Sequence, residues 1–182
     1  MITILFEKLE PAVREHFRIL QKQIDTDPET AKMLTTPMDE IPQYKWLYLE
    51  EDIYKFIRVM PLFNALVAMA TIPKIKLEFS VVGTKLTGFL SYQEAGSEIT
   101  AIKMASFKDD KSRTNPVLAV DLAGFLDKES RRRTKITWLA HVANQTAVKQ
   151  YDKLLNSKKF VWSKDYLDKT KKMWIYTFTG KR

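Results

Sequence analysis

The chain has 182 residues, 45% of them hydrophobic and 12% aromatic, which suits one domain with a sizeable core and excludes a disordered chain. Cysteine is absent and the two histidines, His16 and His141, lie far apart, so disulfides, thiolate metal sites and a thiol nucleophile are excluded and no metal is expected. Lys and Arg number 30 against 22 Asp and Glu, giving +8 and a pI near 9.5, a balance that favours a phosphate-bearing cofactor, a nucleic acid or an anionic surface without choosing among them.

The opening MITILFEKLEP shows no basic segment followed by a long apolar one. It reads as a first strand, Met1 to Phe6, rather than a signal peptide. From Pro11 an amphipathic helix follows, with Val13, Phe17, Leu20 and Ile24 at helical spacing. Asp25 to Pro28 is a turn, and the stretch to Pro42 is polar. A second helical region is expected from about Tyr44 to Thr71, interrupted before Pro61, which suits a new first turn. The apolar run VMPLFNALVAMATIP within it holds Pro61, Asn64 and Pro73 and is too short to span a bilayer, so a soluble, cytoplasmic protein is expected.

Beyond Pro73 the period changes to that of strands. IKLEFSVV, KLTGFLSYQE and EITAIKMASF, joined by turns at Gly83-Thr84 and Ala95-Gly96-Ser97, read as an antiparallel meander. The polar loop KDDKSRTNP leads into a helix from Val117 to Arg132. KITWLAHVA then reads as a buried strand that breaks at Asn144, a helix N-cap, and QTAVKQYDKLL continues at helical period. Asn144, Ala147, Val148 and Tyr151 share one face of that helix. Because the helix from Val117 is a crossover, the strand at Ile136 should run parallel to the one at Ile99. Two aromatic strands, KKFVWSKDY and KKMWIYTFTG, close the chain around LDKTK. A strand feeding a helix places its junction at the carboxyl end of a sheet, where open α/β folds bind ligands.

This order, β-α-α-β-β-β-α-β-α-β-β, together with Asn144-x-x-Ala147-x-x-x-Tyr151, resembles the GNAT-type acyl-CoA N-acyltransferase superfamily. The resemblance covers nearly the whole chain in element order and is sharpest from Leu86 to Tyr151. It implies a single domain over 1–182: an α/β (α+β) fold with a mixed, largely antiparallel sheet of about seven strands and helices on both faces. It also implies transfer of an acetyl or other acyl group from acetyl-CoA to a primary amine, small molecule or protein. Under it Tyr151 would be the acid for the departing thiolate, a backbone N–H near Met104, Ala105 and Ser106 would hold the oxyanion, and Asn144 and Ala147 would border the pantetheine arm. His141 is the first candidate for the base, with Glu94 and Glu78 behind it.

The family's Gly-rich pyrophosphate loop corresponds to Lys111-Ser-Arg113-Thr-Asn115-Pro116, which keeps Arg113 and a helix start but has no glycine. Lys111, Arg113 and Asn115 are the candidates for the cofactor phosphates. The missing glycines, the run Lys128 to Lys135 and the lysines around Trp162, Tyr166 and Trp174 leave a second reading open, a GNAT-like fold without catalysis that binds nucleic acid or protein. The bland alternatives stay open too: Asn144 as a plain cap, Tyr151 as a packing residue, His141 as a core histidine. The acceptor pocket would involve the Tyr44–Thr71 region and the last strands, and an exposed last strand leaves a homodimer open.

Overall fold

A computed structural model describes residues 2–49, 51–107, 116–157 and 159–181. The chain opens with a helix, α1 (Ile2–Glu7), rather than the expected strand. The apolar residues Ile2, Leu5, Phe6 and Leu9 recur at helical rather than alternating spacing, and Leu5, Phe6 and Leu9 pack into the core. α2 (Pro11–Thr26) begins at Pro11 and buries Phe17, Leu20 and Gln23. Asp27 ends it and caps α3 (Pro28–Leu34), a helix the polar composition concealed: its carboxylate accepts from the Thr30 N–H at 3.3 Å and from the Thr30 hydroxyl at 3.0 Å.

In the expected long helical region, Pro42–Trp46 and Asp52–Tyr54 are 3-10 turns joined by irregular turns, and among the described residues only α4 (Leu62–Thr71) is α-helical there; a further 3-10 turn, Met38–Glu40, precedes it. Pro61 sits at the N-cap, outside the helix, with extended ψ. Strand-like ties hold this segment: the Met38 N–H donates to the Met60 carbonyl at 3.0 Å and the Leu62 N–H to the Thr36 carbonyl at 2.9 Å.

The meander follows as β1 (Ile75–Val82), β2 (Lys85–Ala95) and β3 (Glu98–Ser106), with Gly83 and Gly96 both at φ +62 in the two-residue turns. Then come α5 (Pro116–Glu129), β4 (Lys135–His141), α6 (Gln145–Ser157), β5 (Phe160–Tyr166) and β6 (Met173–Lys181). Among the described residues the sheet has six strands rather than about seven, in the order β1-β2-β3-β4-β6-β5. β4 runs parallel to β3, pairing Ile99 with Ile136 as the crossover requires, and antiparallel to β6. Between Ile99 and Ile102 the ladder is irregular, at Ala101 with φ +54.

The chain divides into two compact units, residues 1–91 with 104–111 and residues 92–103 with 112–182. In the first, α2 and α4 cover an aromatic core in which Phe17 meets Phe63 and Phe79 edge-on. The Gln23 amide bridges to β2, donating to the Leu86 carbonyl at 2.9 Å and accepting the Leu86 N–H at 2.8 Å, all of it buried. Gln23→Ala strips both partners from a buried peptide, and a loss of about 2–4 kcal/mol in urea unfolding is expected. Gly88 allows close approach of β2 and β3: a Cβ there would lie 2.5 Å from the Ala105 carbonyl oxygen.

In the second unit α5 and α6 pack against each other, and Ile99, Ile136 and Trp138 are fully covered. The basic run after α5 serves this unit internally. Glu129 has no exposed surface and takes two hydrogen bonds from Arg132, at 2.6 and 3.0 Å, and one from Arg133 at 3.1 Å. Burial works to raise the Glu129 carboxyl, and the hydrogen bonds from Arg132 and Arg133 outweigh it and hold the group below its ordinary value. A depressed folded-state value means that this contribution to stability is present above the unfolded value and is lost as pH falls through the folded one. The melting temperature should thus fall on acidification below about pH 4.5, and less steeply in Glu129→Gln. Identical slopes would remove Glu129 from the acid response.

Candidate active site

β4 alternates buried and half-buried residues, with Ile136, Trp138 and Ala140 facing inward. It ends where the Asn144 N–H turns back to the His141 carbonyl at 2.9 Å. Asn144 caps α6: its side-chain oxygen accepts from the Ala147 N–H at 3.3 Å and its carbonyl from the Val148 N–H at 3.1 Å. Its side-chain NH2 has no hydrogen bond among the described residues and remains a donor. Ala147, one turn on, is small and half-buried. His141 Nδ1 accepts the Ala143 N–H at 3.1 Å, so the neutral ring carries its proton on Nε2 and is a donor there.

Tyr151 lies on the inner face of α6, in a box of rings. It meets Trp138 edge-on at 5.9 Å and Tyr176 edge-on at 5.4 Å, while Trp138 and Tyr176 stack in parallel at 5.3 Å. Tyr176 is fully buried and donates to Asp152 at 2.8 Å, and Lys164 donates to the other Asp152 oxygen at 2.9 Å. The Tyr151 hydroxyl makes no hydrogen bond among the described residues. Burial pushes its phenol up to about 12. The Trp138 indole N–H is buried without a partner among the described residues, whereas Tyr151 is half-buried and its phenol remains a donor.

The remaining candidates lie elsewhere. Glu94 accepts from Arg133 at 2.5 Å, and Arg133 also donates to the Gly96 carbonyl at 3.0 Å. That pair sits before the first residue of β4, whereas His141 is its last, roughly 20 Å away at strand rise. The two candidate bases therefore do not share a site. Met104, Ala105 and Ser106 end β3 in the first unit; Ala105 is buried, and the Ser106 carbonyl is taken by the buried Tyr44 hydroxyl at 2.9 Å. Lys111, Arg113 and Asn115 lie outside the described residues. The network of Tyr176, Asp152 and Lys164 was not anticipated, although Trp162, Lys164, Tyr166 and Trp174, Tyr176, Phe178 alternate at strand period and so announce one shared face.

No protein-family model matches the sequence, and no curated protein matches it. Solved structures do share the architecture. AAC(6')-Ib in complex with ribostamycin and coenzyme A superposes with a TM-score of 0.54 at 12% identity, over 85% of this chain and 89% of that one. The PaiA N-acetyltransferase from Thermoplasma acidophilum, in complex with coenzyme A, gives 0.50 at 12% identity, over 90% and 94%. At such identity what is shared is the fold: a mixed α/β, mostly antiparallel sheet with flanking helices. It is a GNAT-like fold. Among the described residues no helix is long and apolar enough to cross a membrane, and no cluster of His, Asp and Glu could hold a metal ion.

Proposed function

We propose that the chain is an acyl-CoA-dependent N-acyltransferase, acting as one domain over 1–182, that moves an acetyl group to a primary amine. The reading rests on the fold together with one observation, the unit from β4 through Asn144 to α6 that carries an unpaired phenol, Tyr151. Acetyl-CoA, when bound, supplies a thioester carbonyl and a thiolate leaving group. The Asn144 NH2 is available to donate to an amide carbonyl of the pantetheine arm, and Ala147 leaves room beside it. Backbone N–H groups near Met104 to Ser106 are the proposed oxyanion donors, and Lys111, Arg113 and Asn115 the proposed phosphate contacts.

Tyr151 acts on the departing sulfur. A phenol held at about 12 keeps its proton throughout neutral pH. An alkyl thiol is a stronger acid than a phenol held at about 12, so full transfer to the thiolate is uphill and Tyr151 serves chiefly as a hydrogen-bond donor that stabilises the leaving group. His141 is a donor at Nε2 in its observed pairing, and Glu94 is held by Arg133, so neither is a poised base. An amine that arrives already deprotonated needs no base before attack; the proton its nitrogen sheds as the amide forms passes to the departing thiolate or to solvent, and the rate then rises with pH toward the amine's own ionisation. The carrying experiment is calorimetric titration with acetyl-CoA, checked by melting temperature, since a ligand that binds only the folded state raises it. Binding with a raised melting temperature is expected; no heat and no shift at millimolar acetyl-CoA would contradict the reading.

A further inference from the structure

Charge is divided unequally along the chain. The unit formed by 92–103 with 112–182 holds 17 of the 30 Lys and Arg but 8 of the 22 Asp and Glu, a net of +9 against −1 for the rest. Several of these cations are spent internally: Arg132 and Arg133 on Glu129, Lys135 on Glu98, Lys181 on Asp127 and Lys164 on Asp152. Lys149, Lys153 and Lys169 are exposed and form no ion pair among the described residues, and Lys171 and Lys172 are exposed beside Lys169. An excess concentrated in one unit favours a partner with repeated negative charge.

The same unit carries a row of rings that runs from buried Tyr176 and Phe178 to half-buried Trp162 and Trp174 and exposed Tyr166. Across β5 and β6, Trp162 pairs with Phe178, Lys164 with Tyr176 and Tyr166 with Trp174, so all six share one sheet face. The bonds of Lys164 and Tyr176 to Asp152 put α6 on that face. Lys149 is three residues before Asp152 and shares its side of the helix, and Lys153 is one turn beyond Lys149. At the tip, Tyr166 stacks on Trp174 at 4.0 Å with the rings 15° apart. The Lys164 ammonium lies 4.6 Å from the Trp174 ring centre, and that of Lys171 lies 5.6 Å from that of Tyr166. Tyr166 is 44% exposed and Leu167 42%.

We propose that this face, from Lys149 and Lys153 on α6 to the β5–β6 tip, binds single-stranded nucleic acid. A ring pair flanked by ammonium groups has both elements such binding uses, a stacking platform and phosphate contacts. The exposed cation–π contact of Lys171 with Tyr166 is weaker than base stacking, so an unpaired base replaces the ammonium over the ring and frees it for the adjacent phosphate. Duplex nucleic acid keeps its bases stacked on each other and gains only the charge contacts. The acyltransferase reading is independent of this one, because neither Tyr166 nor Lys171 belongs to the proposed catalytic residues.

The test is fluorescence anisotropy of the full chain with labelled oligo(dT) and oligo(U) of about 15 nucleotides, over a range of salt. Binding at low salt is expected, with a slope of log affinity against log salt of about −2 to −3, as for three or four phosphates. Tyr166→Ala should weaken it roughly five- to a hundredfold, and the exposed pair Lys171→Glu with Lys172→Glu should weaken it and flatten the slope, with acetyl-CoA binding retained in both variants. The proposal is overturned by no binding at low salt, by equal affinity for duplex and single strand with no effect of Tyr166→Ala, or by binding to vesicles containing phosphatidylserine and not to oligonucleotides. Loss of oligonucleotide binding to saturating coenzyme A, with Tyr166→Ala neutral, would also overturn it and return the charge to the cofactor.

Discussion

Tyr151→Phe should lower the turnover number for acetyl transfer about 100-fold, while the KM for acetyl-CoA changes by less than about twofold. The variant keeps the ring that packs on Trp138 and Tyr176 and removes only a hydroxyl that makes no hydrogen bond among the described residues. Its stability should therefore stay within about 0.5 kcal/mol of the parent. That separation of stability from rate distinguishes a donor to the leaving sulfur from a packing tyrosine. Tyr176→Phe is the control, because it removes a structural bond, Tyr176 to Asp152, and should cost about 1 kcal/mol of stability. Unchanged turnover in Tyr151→Phe would exclude Tyr151 from the chemistry.

Gly88→Ala should lower stability sharply through a steric clash. The added Cβ would stand 2.5 Å from the Ala105 carbonyl oxygen and 3.3 Å from the Ser106 Cα, both backbone atoms that no rotamer change can move. β2 and β3 must separate locally, at a cost of about 1–3 kcal/mol or more, read as a lower urea midpoint. Because Ala105 and Ser106 are the proposed oxyanion strand end, turnover should fall as well, even where the variant remains folded. Gly124→Ala is the matched comparison: nothing lies within 4 Å of its Cβ position, and helix propensity alone predicts a neutral or slightly stabilising change. Equal stability of the two variants would show that the close approach at Gly88 is not constraining.

Much of this architecture is legible from local pattern. The meander, the crossover helix, the parallel pairing of Ile99 with Ile136 and the cap at Asn144 follow from alternation, short turns and capping chemistry, which act over a few residues. Ile2, Leu5, Phe6 and Leu9 fit a helix at four positions, but so short a run suits a strand as well. The region from Tyr44 to Met60 is held by tertiary ties such as Met38 to Met60, which no local period encodes, so it folds as 3-10 turns. At the site, the Asn144 cap and the face shared with Tyr151 could be read in advance, since both belong to one helix. The box around Tyr151 could not, because Trp138, Asp152, Lys164 and Tyr176 meet only once β6 enters between β4 and β5. Arg132 and Arg133 belong to a basic run at a helix end, and their bonds to the buried Glu129 could not be read from that run alone.

The central claim is tested most directly by incubating the protein with acetyl-CoA labelled in the acetyl group and a panel of primary amines, spanning aminoglycosides, polyamines and peptide N-termini, and following label on the amine by mass spectrometry. Acetyl-CoA-dependent label on at least one amine class, rising with pH and strongly reduced in Tyr151→Phe, is the predicted result. Absence of label on every amine, with no heat of acetyl-CoA binding, would contradict the account and leave a GNAT-type fold without acyl transfer.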